Sequence, residues 1–348
     1  MSAWLLLGLP LACFLLAAAL TGPVRRHALS KAVVDLPGER SSHTVPTPRG
    51  GGVAIVGAFL AGIALVALIH PDETRTVGFM AVTAVGAGAL GWMDDRRDLH
   101  PALRLTVQLA LAIGIVWALQ PVSRIEIGGW TVSAGWLAWP LSVGWLVWLA
   151  NLYNFMDGTD GIAGVEAVVV CSILALWFAA YGDPALAMAA LALAGAAAGF
   201  LLWNWSPARL FMGDVGSVTL GLLIGLLTIA GINRLGLPWG GAVILLGVFL
   251  GDATVTLLVR LARGERIWEA HRSHFYQRAV RAGASHADVA FAVLALDLGL
   301  AVRASLAVAR IAPQGLWPAS AIILLAAVAG WVMARERRRR AGGGGVHG

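Results

Sequence analysis

The chain has 348 residues, of which 59% are hydrophobic and only 13% are charged, and its mean hydropathy is +0.78. A soluble protein carries about twice that charged fraction, so the composition excludes an ordinary soluble domain. The net charge of +6 would suit a nucleic-acid-binding protein, but most basic residues border apolar runs, which indicates orientation in a bilayer. We therefore expect a polytopic membrane protein in contact with lipid and without a nucleic-acid partner.

Apolar runs divide the chain into a series of predicted transmembrane helices, each near the roughly 20 residues that the hydrocarbon core requires. We expect the first run to be an uncleaved span rather than a secretory signal, because no Lys or Arg precedes it. The sequence predicts one all-α membrane domain over residues 1–334 and a basic, glycine-rich, disordered cytoplasmic tail over residues 335–348. The eleven predicted spans are Ala3–Leu20, Gly52–Ile69, Thr76–Trp92, Leu103–Leu119, Trp136–Asn151, Gly164–Tyr181, Ala185–Trp203, Val215–Ile232, Leu237–Val259, Ala287–Ala309 and Leu316–Ala334.

The distribution of basic residues predicts how these spans are oriented. With the amino terminus outside, twenty of the 25 basic residues fall in one set of connections or in the tail. Cytoplasmic connections carry an excess of Lys and Arg, so we expect the amino terminus outside and the carboxyl terminus in the cytoplasm. On the outer side, residues 124–132 alternate around Gly128-Gly129 and predict a small β-hairpin.

The same orientation gathers acidic residues and histidines at the cytoplasmic ends of spans. Carboxylates at the end of a span are costly unless they meet a cation, a partner or water. We therefore expect one polar site facing the cytosol, whereas a transporter would place polar groups near mid-membrane and a lipid-binding scaffold would not need so many carboxylates. The residues concerned are Asp94, Asp95, Asp98, Asp157, Asp160, Asp214, His271 and His274.

The stretch Asn151–Gly161 is the strongest single candidate for a site. Asp157 and Asp160 lie three residues apart and are each followed by a glycine, and Asn154 precedes them. On helix-like backbone the two carboxylates would share a face. The alternative is a pair of Asx-type turns that cap the next helix, but two Asp-Gly pairs with flanking asparagines favour a site.

Two cytoplasmic loops offer groups that bind anions. Arg49 and the three glycines Gly50–Gly52 lead into a predicted helix, where exposed N–H groups suit an anion; the alternative is a basic loop facing lipid headgroups. His271 and His274 flank Arg272 in the last long loop. Two histidines also suggest zinc, but the lack of cysteine partners and the surplus of arginines favour phosphate.

Two further segments carry carboxylates next to small or aromatic residues. Asp94 and Asp95 end a predicted span, and adjacent helix residues face different ways, so we expect one toward a cation and the other toward an arginine or a helix end. Asp214 lies between two glycines, and Asn204 and Phe211 nearby offer an amide and an aromatic face for a ring. The alternative for this segment is ordinary membrane-interface packing.

Taken in order, these motifs resemble the bacterial polyprenyl-phosphate N-acetylhexosamine-1-phosphate transferases of glycosyltransferase family 4, which include the phospho-MurNAc-pentapeptide translocase. The resemblance extends from about Asp35 to Gln277 and implies a multi-pass enzyme of the bacterial inner membrane, with a periplasmic amino terminus and a cytoplasmic active site. The motifs are Pro46–Gly52, Asp94–Leu99 with Gln108, Asn154–Gly161, Phe211–Ser217 and His271–His274.

The resemblance also implies roles for individual residues. Asp94 and Asp95 would be paired carboxylates near the metal and the lipid phosphate, Asp157 would lie in the catalytic centre, and Asp214 with Asp94 would bind Mg²⁺, with Mn²⁺ as the alternative ion. His271 and His274 would contact the diphosphate or the sugar. The residues expected to bind substrate are Arg49, Asn154, Asp160, Asn204, Phe211 and Arg272, of which Asp160, Asn204 and Phe211 would hold the uracil.

The implied reaction is attack of undecaprenyl phosphate on the β-phosphorus of a UDP-N-acetylhexosamine, with release of UMP. It would be the first membrane step of O-antigen-type polysaccharide synthesis, a part of lipopolysaccharide and cell-wall biogenesis. UDP-GlcNAc is the expected donor, followed by UDP-FucNAc or UDP-QuiNAc. A MurNAc-pentapeptide donor is less expected, because this chain has His271-Arg-Ser-His274 where the translocase has consecutive histidines. A double displacement through an aspartyl-phosphate and a homodimeric assembly remain alternatives.

Overall fold

The computed structural model describes residues 3–35, 43, 45–127, 130–266 and 271–311, together with residues 322, 326, 329–330 and 332–336. Most of these residues are helical, which confirms the predicted all-α class. The helices are α1 (Ala3–Ser30), α2 (Gly52–Ile69), α3 (Thr74–Arg97), α4 (Pro101–Leu119), α5 (Ala138–Met156), α6 (Ile162–Ala180), α7 (Pro184–Asn204), α8 (Asp214–Leu235), α9 (Trp239–Leu245), α10 (Gly247–Ala262), α11 (Phe275–Arg281) and α12 (His286–Val308).

Fewer helices than the predicted eleven have the length and apolar composition of a membrane span. Among the described residues eight do, namely α1 to α4, α6 to α8 and α12, and a ninth is added if α9 and α10 form one bent span. The predicted fifth span corresponds to α5, which is not among the eight because its aromatic and amide side chains lower its hydropathy. The predicted span Leu316–Ala334 lies largely outside the described residues.

The predicted span Leu237–Val259 is not one straight helix. The axes of α9 and α10 differ by 80° across a break at Leu246. Gly247 follows the break, and a Cβ atom added there would lie 2.9 Å from Leu300 of α12. The bend thus brings the chain close to α12 and turns the amino end of α10 away from the α9 direction.

Helix α8 lies at the centre of the bundle, since 94% of its most apolar 18-residue stretch is buried. It packs against α3 and α5, while α1, α6 and α7 form a second group of adjoining helices. Small residues make this packing close: a Cβ atom on Gly195 would lie 2.2 Å from the carbonyl oxygen of Pro10, and one on Gly199 would lie 2.1 Å from that of Phe14. Close backbone approach is the usual basis of helix association in lipid.

The connections form two polar ends, separated by helices of about 20 residues and hence roughly 30 Å. At one end Arg234, near the end of α8, forms ion pairs with Glu73 and Asp183. The same end carries the antiparallel strands β3 (Arg124–Ile127) and β4 (Trp130–Ser133), so the predicted hairpin is present, although its turn at residues 128–129 lies outside the described residues. The opposite end holds the candidate site. A short pair of strands there, β1 (Val34–Asp35) and β2 (Thr47–Pro48), joins α1 to the start of α2.

Candidate active site

The site begins at the last turn of α3, where Asp94 and Asp95 are both buried. Asp94 accepts a hydrogen bond from the Leu99 backbone N–H (2.8 Å) and one from Arg104 of α4 (2.7 Å). The helix ends at once, because Asp98 adopts a left-handed conformation with φ of 44°. Asp94 is therefore held between the loop after α3 and the first turns of α4.

Asp95 points instead at the amino end of α8. Its carboxylate accepts a hydrogen bond from the backbone N–H of Asp214 (3.1 Å) and lies 3.5 Å from that of Val215, where the helix dipole favours negative charge. Its other partner is Arg49, at 3.8 Å. Gly213 leaves room for the contact, since a Cβ atom there would lie 2.4 Å from the carboxylate. The two adjacent carboxylates thus face different partners, and Asp95 fixes the position of Asp214.

Asp214, the first residue of α8, lies between groups from α4 and α5. It accepts a hydrogen bond from the side-chain amide of Asn154 (2.7 Å). The guanidinium of Arg104 lies 3.7 Å from its other carboxylate oxygen. The carboxyl groups of Asp94 and Asp214 are close enough to interact directly. Asn154, which we expected to bind substrate, therefore orients this carboxylate in the structure.

Asp157 follows the last residue of α5. Burial raises its pKa well above the ordinary value, and the negative charges of Asp214, Asp95 and Asp160 raise the pKa further. These charges act on Asp157 because three separate segments converge here. The predicted convergence of Asp94, Asp157 and Asp214 at one end of the bundle is therefore observed.

Asp160 is held by contacts that reach the amino end of α12. It accepts a hydrogen bond from the Ala208 backbone N–H (3.1 Å) and lies 3.1 Å from the His286 ring. Burial alone would raise the pKa of Asp160, but the hydrogen bond and charge of His286 and the Ala208 N–H outweigh it and hold the pKa below its ordinary value. Asp160 is an ionised acceptor in this arrangement.

Asn204 ties two loops of the site together. It accepts a hydrogen bond from the Gly161 N–H and donates one to the carbonyl of Leu210, both at 3.0 Å. Asn204 is buried, so both ends of its amide are occupied by backbone. The structure gives this residue a positioning role, in contrast to the uracil contact expected from the sequence.

The glycine run before α2 does not form the open anion cradle that we expected. The N–H groups of Gly51 and Gly52 donate to the carbonyls of Phe211 and Met212, both at 2.9 Å. A Cβ atom on Gly52 would lie 2.1 Å from the Gly216 nitrogen. These glycines thus allow α2 to contact the start of α8. Phe211 itself is partly exposed and packs edge-on against the His43 ring, with centroids 4.9 Å apart.

The loop between α10 and α11 is organised by Asp252 of α10. Its carboxylate lies 3.1 Å from His274 Nδ1 and accepts hydrogen bonds from the N–H groups of Phe275 (2.9 Å) and Tyr276 (3.0 Å), which begin α11. His274 is buried, and Asp252 holds its ring with Nδ1 as the donor. The ring of His271 lies 4.9 Å from that of His274.

His271 is neutral at physiological pH. Burial lowers its pKa to about 4, and the charges of His274 and Arg260 act in the same direction, whereas Asp252 opposes them. The His271 Nδ1 atom accepts a hydrogen bond from the Ser273 N–H (3.3 Å), which assigns the ring proton to Nε2. His271 is thus a neutral hydrogen-bond donor rather than a cation.

Tyr276 connects this histidine loop to the Asp157 loop. Its hydroxyl donates to the Phe155 carbonyl (2.9 Å), and a Cβ atom on Gly158 would lie 2.2 Å from the same hydroxyl. The rings of Phe155 and His274 stack at 6.3 Å. The structure therefore brings the histidines and the carboxylates together, and the backbone carbonyl of Arg272 in the same loop accepts a hydrogen bond from Arg281.

Comparison with known proteins identifies the family. Residues 77–232 match the family described as Glycosyl transferase family 4. The chain is 30% identical to a probable undecaprenyl-phosphate N-acetylglucosaminyl 1-phosphate transferase of Bacillus subtilis, over 77% of this chain and 75% of that protein. The chain belongs to glycosyl transferase family 4. The predicted family is confirmed, and this family 4 protein is a multi-pass membrane transferase.

Two further relatives of this family 4 protein match different shares of its chain. A decaprenyl-phosphate N-acetylglucosaminephosphotransferase of Mycobacterium tuberculosis is 30% identical over 77% of this chain and 74% of its own. A phospho-N-acetylmuramoyl-pentapeptide-transferase of Synechococcus elongatus is 33% identical over 53% of each chain. The family match at residues 77–232 contains all the clustered aspartates, from Asp94 to Asp214, but ends before the histidine loop.

Sequence reasoning did not assign to the site four residues that the family 4 structure brings there: Arg104, Asp252, Tyr276 and His286. In the sequence, Arg104 counts only as one of the basic residues that indicate orientation, and no motif surrounds His286. The one usable signal was Asp252, since a carboxylate within an apolar run indicates a functional partner. Its actual partners, His274 and the start of α11, are more than twenty residues away along the chain.

The carboxylates of this end fit a divalent cation. Asp94 and Asp214 share a single guanidinium, that of Arg104, and Asp157 has no ion pair within the described part of the chain. Mg²⁺ prefers such oxygen donors and is usually bound by one or two carboxylates, substrate phosphates and water. Among the described residues, no three His, Cys, Asp or Glu side chains form a closed metal site. Asp94 and Asp214 therefore fit an ion whose coordination is completed by water and a substrate.

Proposed function

We propose that this protein transfers an N-acetylhexosamine 1-phosphate from a UDP-sugar to undecaprenyl phosphate and releases UMP. The observation that carries the proposal is the convergence of Asp94, Asp157 and Asp214 at one end of a membrane bundle. The names of the two relatives that match about three quarters of the chain describe the same class of reaction and support the proposal. A transporter is disfavoured, because these groups gather at one end and not at mid-membrane.

The reaction requires positioning and charge neutralisation more than covalent chemistry. Asp94 and Asp214 would hold Mg²⁺, or Mn²⁺ in its place, which when bound offsets the negative charge of the diphosphate. Arg104 lies against both carboxylates and adds a second positive charge. An oxygen of the lipid phosphate attacks the β-phosphorus, the bond from that phosphorus to the bridging oxygen breaks, and UMP leaves with that oxygen.

Asp157 is proposed to accept the proton that a monoanionic lipid phosphate still carries. A phosphate monoester has a second pKa near ~6 and is mostly dianionic at neutral pH, so no strong base is needed. Burial is the main cause that raises the pKa of Asp157, and we propose that its carboxylate takes the last proton from the monoanionic fraction and orients the attacking oxygen. We propose a single displacement; inversion at phosphorus would support it, whereas retention would favour an aspartyl-phosphate intermediate.

The histidines are proposed to bind the diphosphate or the sugar by hydrogen bonds. His271 offers a neutral Nε2–H donor, and Asp252 orients His274 through Nδ1. Arg49 and Arg272 are proposed to add positive charge. At the nucleotide end, Asp160 and the exposed face of Phe211 are proposed to hold the uracil, with Asn204 shaping the two loops that carry them.

An apolar cavity of about 840 Å³ offers a place for the lipid chain. It lies along α9, α10 and α12, and its lining reaches Asp252 and Tyr276 beside the histidine loop. Apolar walls that end at a polar site suit a lipid phosphate, whose hydrocarbon part and charged head need opposite surroundings. The excess of basic residues at this end supports a cytoplasmic site in the bacterial inner membrane.

UDP-GlcNAc is the proposed donor. The N-acetylglucosaminyl phosphate transferases share about three quarters of their length with this chain, whereas the pentapeptide transferase shares about half. UDP-FucNAc and UDP-QuiNAc are the next candidates. The product would begin an O-antigen-type cell-surface polysaccharide.

The test is a panel of UDP-sugars with the purified protein, undecaprenyl phosphate and Mg²⁺, in which the lipid product is identified by mass. We expect a lipid diphosphate carrying N-acetylhexosamine from UDP-GlcNAc and none from UDP-MurNAc-pentapeptide. A product from another UDP-HexNAc would correct the sugar but keep the reaction. No lipid product and no UMP from any donor would refute the proposed function.

A further inference from the structure

Two acidic side chains lie fully buried between α6 and α12 and take no part in the proposed reaction. Glu166 of α6 and Asp297 of α12 are both 0% exposed. None of their four carboxyl oxygens has a hydrogen-bond partner among the described residues. The two carboxyl groups lie close enough to interact with each other. A carboxylate in such surroundings must find a proton or a cation.

A third polar group faces the pair from another helix. The hydroxyl of Tyr153, on α5, is 0% exposed and also lacks a hydrogen-bond partner in the described part of the chain. Tyr153 lies within electrostatic reach of both carboxyls and of Cys171 on α6. The titratable groups that face one another here are thus Tyr153, Glu166, Cys171 and Asp297.

Two adjacent carboxylates cannot both stay ionised in this environment, because each lacks water and repels the other. One bound proton resolves both problems, because the carboxylic O–H of one residue then donates to the carboxylate of the other. We propose that Glu166 and Asp297 form a proton-binding site in the seam between α6 and α12, near Tyr153 of α5. The bound ligand is a proton and not a metal cation.

The position of this site gives the proton a mechanical role. The seam is joined at one end by His286 and Asp160, and at the other by Trp177 with Ser305 (3.0 Å). The shared proton links α6 to α12 between these two contacts and so holds the two helices together. Tyr153 also accepts the N–H of Asp157 at its carbonyl (3.1 Å), so the proton site lies one helical turn behind the Asp157 loop. This inference does not depend on the proposed reaction.

Infrared spectroscopy of the full-length protein in lipid nanodiscs tests the site directly. At neutral pH the wild type should show the C=O band of a buried protonated carboxylic acid, which is separate from carboxylate bands. Glu166→Gln and Asp297→Asn should each remove it, because both residues share one proton. Asp98→Asn, the same chemical change at an exposed residue, should leave it. The band should be unchanged when Na⁺ is replaced by choline.

Two results would overturn the proposal: absence of the band in the folded wild type, or a band that grows only when Na⁺ is removed, which would indicate a cation site.

Thermal unfolding provides a second test, which can be measured even on variants that are less stable than wild type. Glu166→Gln keeps a donor in place of the shared proton and should unfold within a few degrees of wild type. Glu166→Ala leaves Asp297 unpaired and should unfold several degrees lower. Equal loss in the Gln and Ala variants would contradict a shared proton.

Discussion

At the scale of single residues, adjacent or similar carboxylates have different tasks. Asp94 and Asp95 are neighbours in one helical turn, yet Asp94 bonds to Arg104 and Asp95 to the amino end of α8. Asp157 and Asp160 follow the same Asp-Gly pattern, yet their pKa values are shifted in opposite directions. Partners from distant segments, and not the local sequence, determine what each carboxylate can do.

Asp214→Asn should remove most of the activity. The substitution keeps the shape of the side chain and its place at the start of α8 but removes the charge that a divalent cation requires. Loss of groups that only support a metal ligand typically costs about 10–100-fold, so we expect a loss of turnover of at least about 100-fold here. Asp72→Asn, the same chemical change on an exposed residue at the opposite end of the bundle, is the matched control and should retain activity. Comparable losses in both variants would contradict the metal role of Asp214.

His271 should make the folded protein less stable in acid. Its pKa is about 4 in the folded state against an ordinary 6.5, so the unfolded chain binds the proton more readily. Stability from this residue is present above pH 6.5 and is lost as the pH falls toward 4. Over that window, the unfolding midpoint of His271→Gln should fall less steeply than that of wild type, measured by thermal unfolding in detergent. His27→Gln, at an exposed histidine, should follow wild type, and an unchanged acid slope in His271→Gln would refute the assignment.

At the scale of elements, the distance between helices is set by glycines. Gly91 and Gly78 are both in α3, but a Cβ atom on Gly91 would lie 2.3 Å from the backbone of Asp214, whereas one on Gly78 would contact nothing within 4 Å. The backbone of α8 cannot yield as a flexible side chain would. The approach of α3 to α8 is therefore what brings Asp94 and Asp214 together.

Gly91→Ala should separate these two helices and lower both activity and stability. Overpacking of this kind typically costs about 1–3 kcal/mol, and the displaced Asp214 should reduce turnover by more than the loss of folded protein explains. Gly78→Ala should be neutral or slightly stabilising, because alanine favours a helix by up to about 1 kcal/mol. Unfolding midpoints and specific activities of the two purified variants check this. A Gly91→Ala protein with wild-type activity would contradict the close contact.

Local pattern predicted the elements well where hydrophobicity alone decides them. The predicted spans Gly52–Ile69 and Leu103–Leu119 correspond to α2 and α4, and the hairpin follows from its alternation. The break between α9 and α10 was not predictable, since the residues on both sides of Leu246 are equally apolar and the bend follows from contact with α12. The contact of Asp252 with the start of α11 was not predictable for a similar reason: the sequence shows the carboxylate but not the loop that folds back onto it.

At the scale of the whole molecule, the two ends of the bundle are chemically different. One end carries the candidate site and most of the basic residues, and the other carries the hairpin and the Arg234 ion pairs. The proposal that the site end faces the cytoplasm rests on this charge asymmetry alone. The seam between α6 and α12 connects the two ends, because its contacts extend from Asp160 at the site to Tyr181 at the far end.

Single cysteines should report this orientation without removing the native ones, because Cys13 and Cys171 are both buried. Asp72→Cys, two residues before α3, and Arg97→Cys, at its last residue, introduce thiols at exposed positions on opposite ends of the bundle. A membrane-impermeant maleimide should label Asp72→Cys in cells whose inner membrane is intact. It should label Arg97→Cys only after that membrane is permeabilised. The opposite pattern would place the site outside the cytoplasm and contradict the proposed use of a cytosolic nucleotide sugar.

The most direct test of the central claim follows one phosphorus atom. UDP-GlcNAc labelled with ³²P in the β-phosphate is incubated with the purified protein, undecaprenyl phosphate and Mg²⁺, and the lipid and nucleotide fractions are separated. The account predicts that the label moves to the lipid together with the sugar and that the released UMP is unlabelled. Label retained in released UDP, with sugar alone on the lipid, would contradict it.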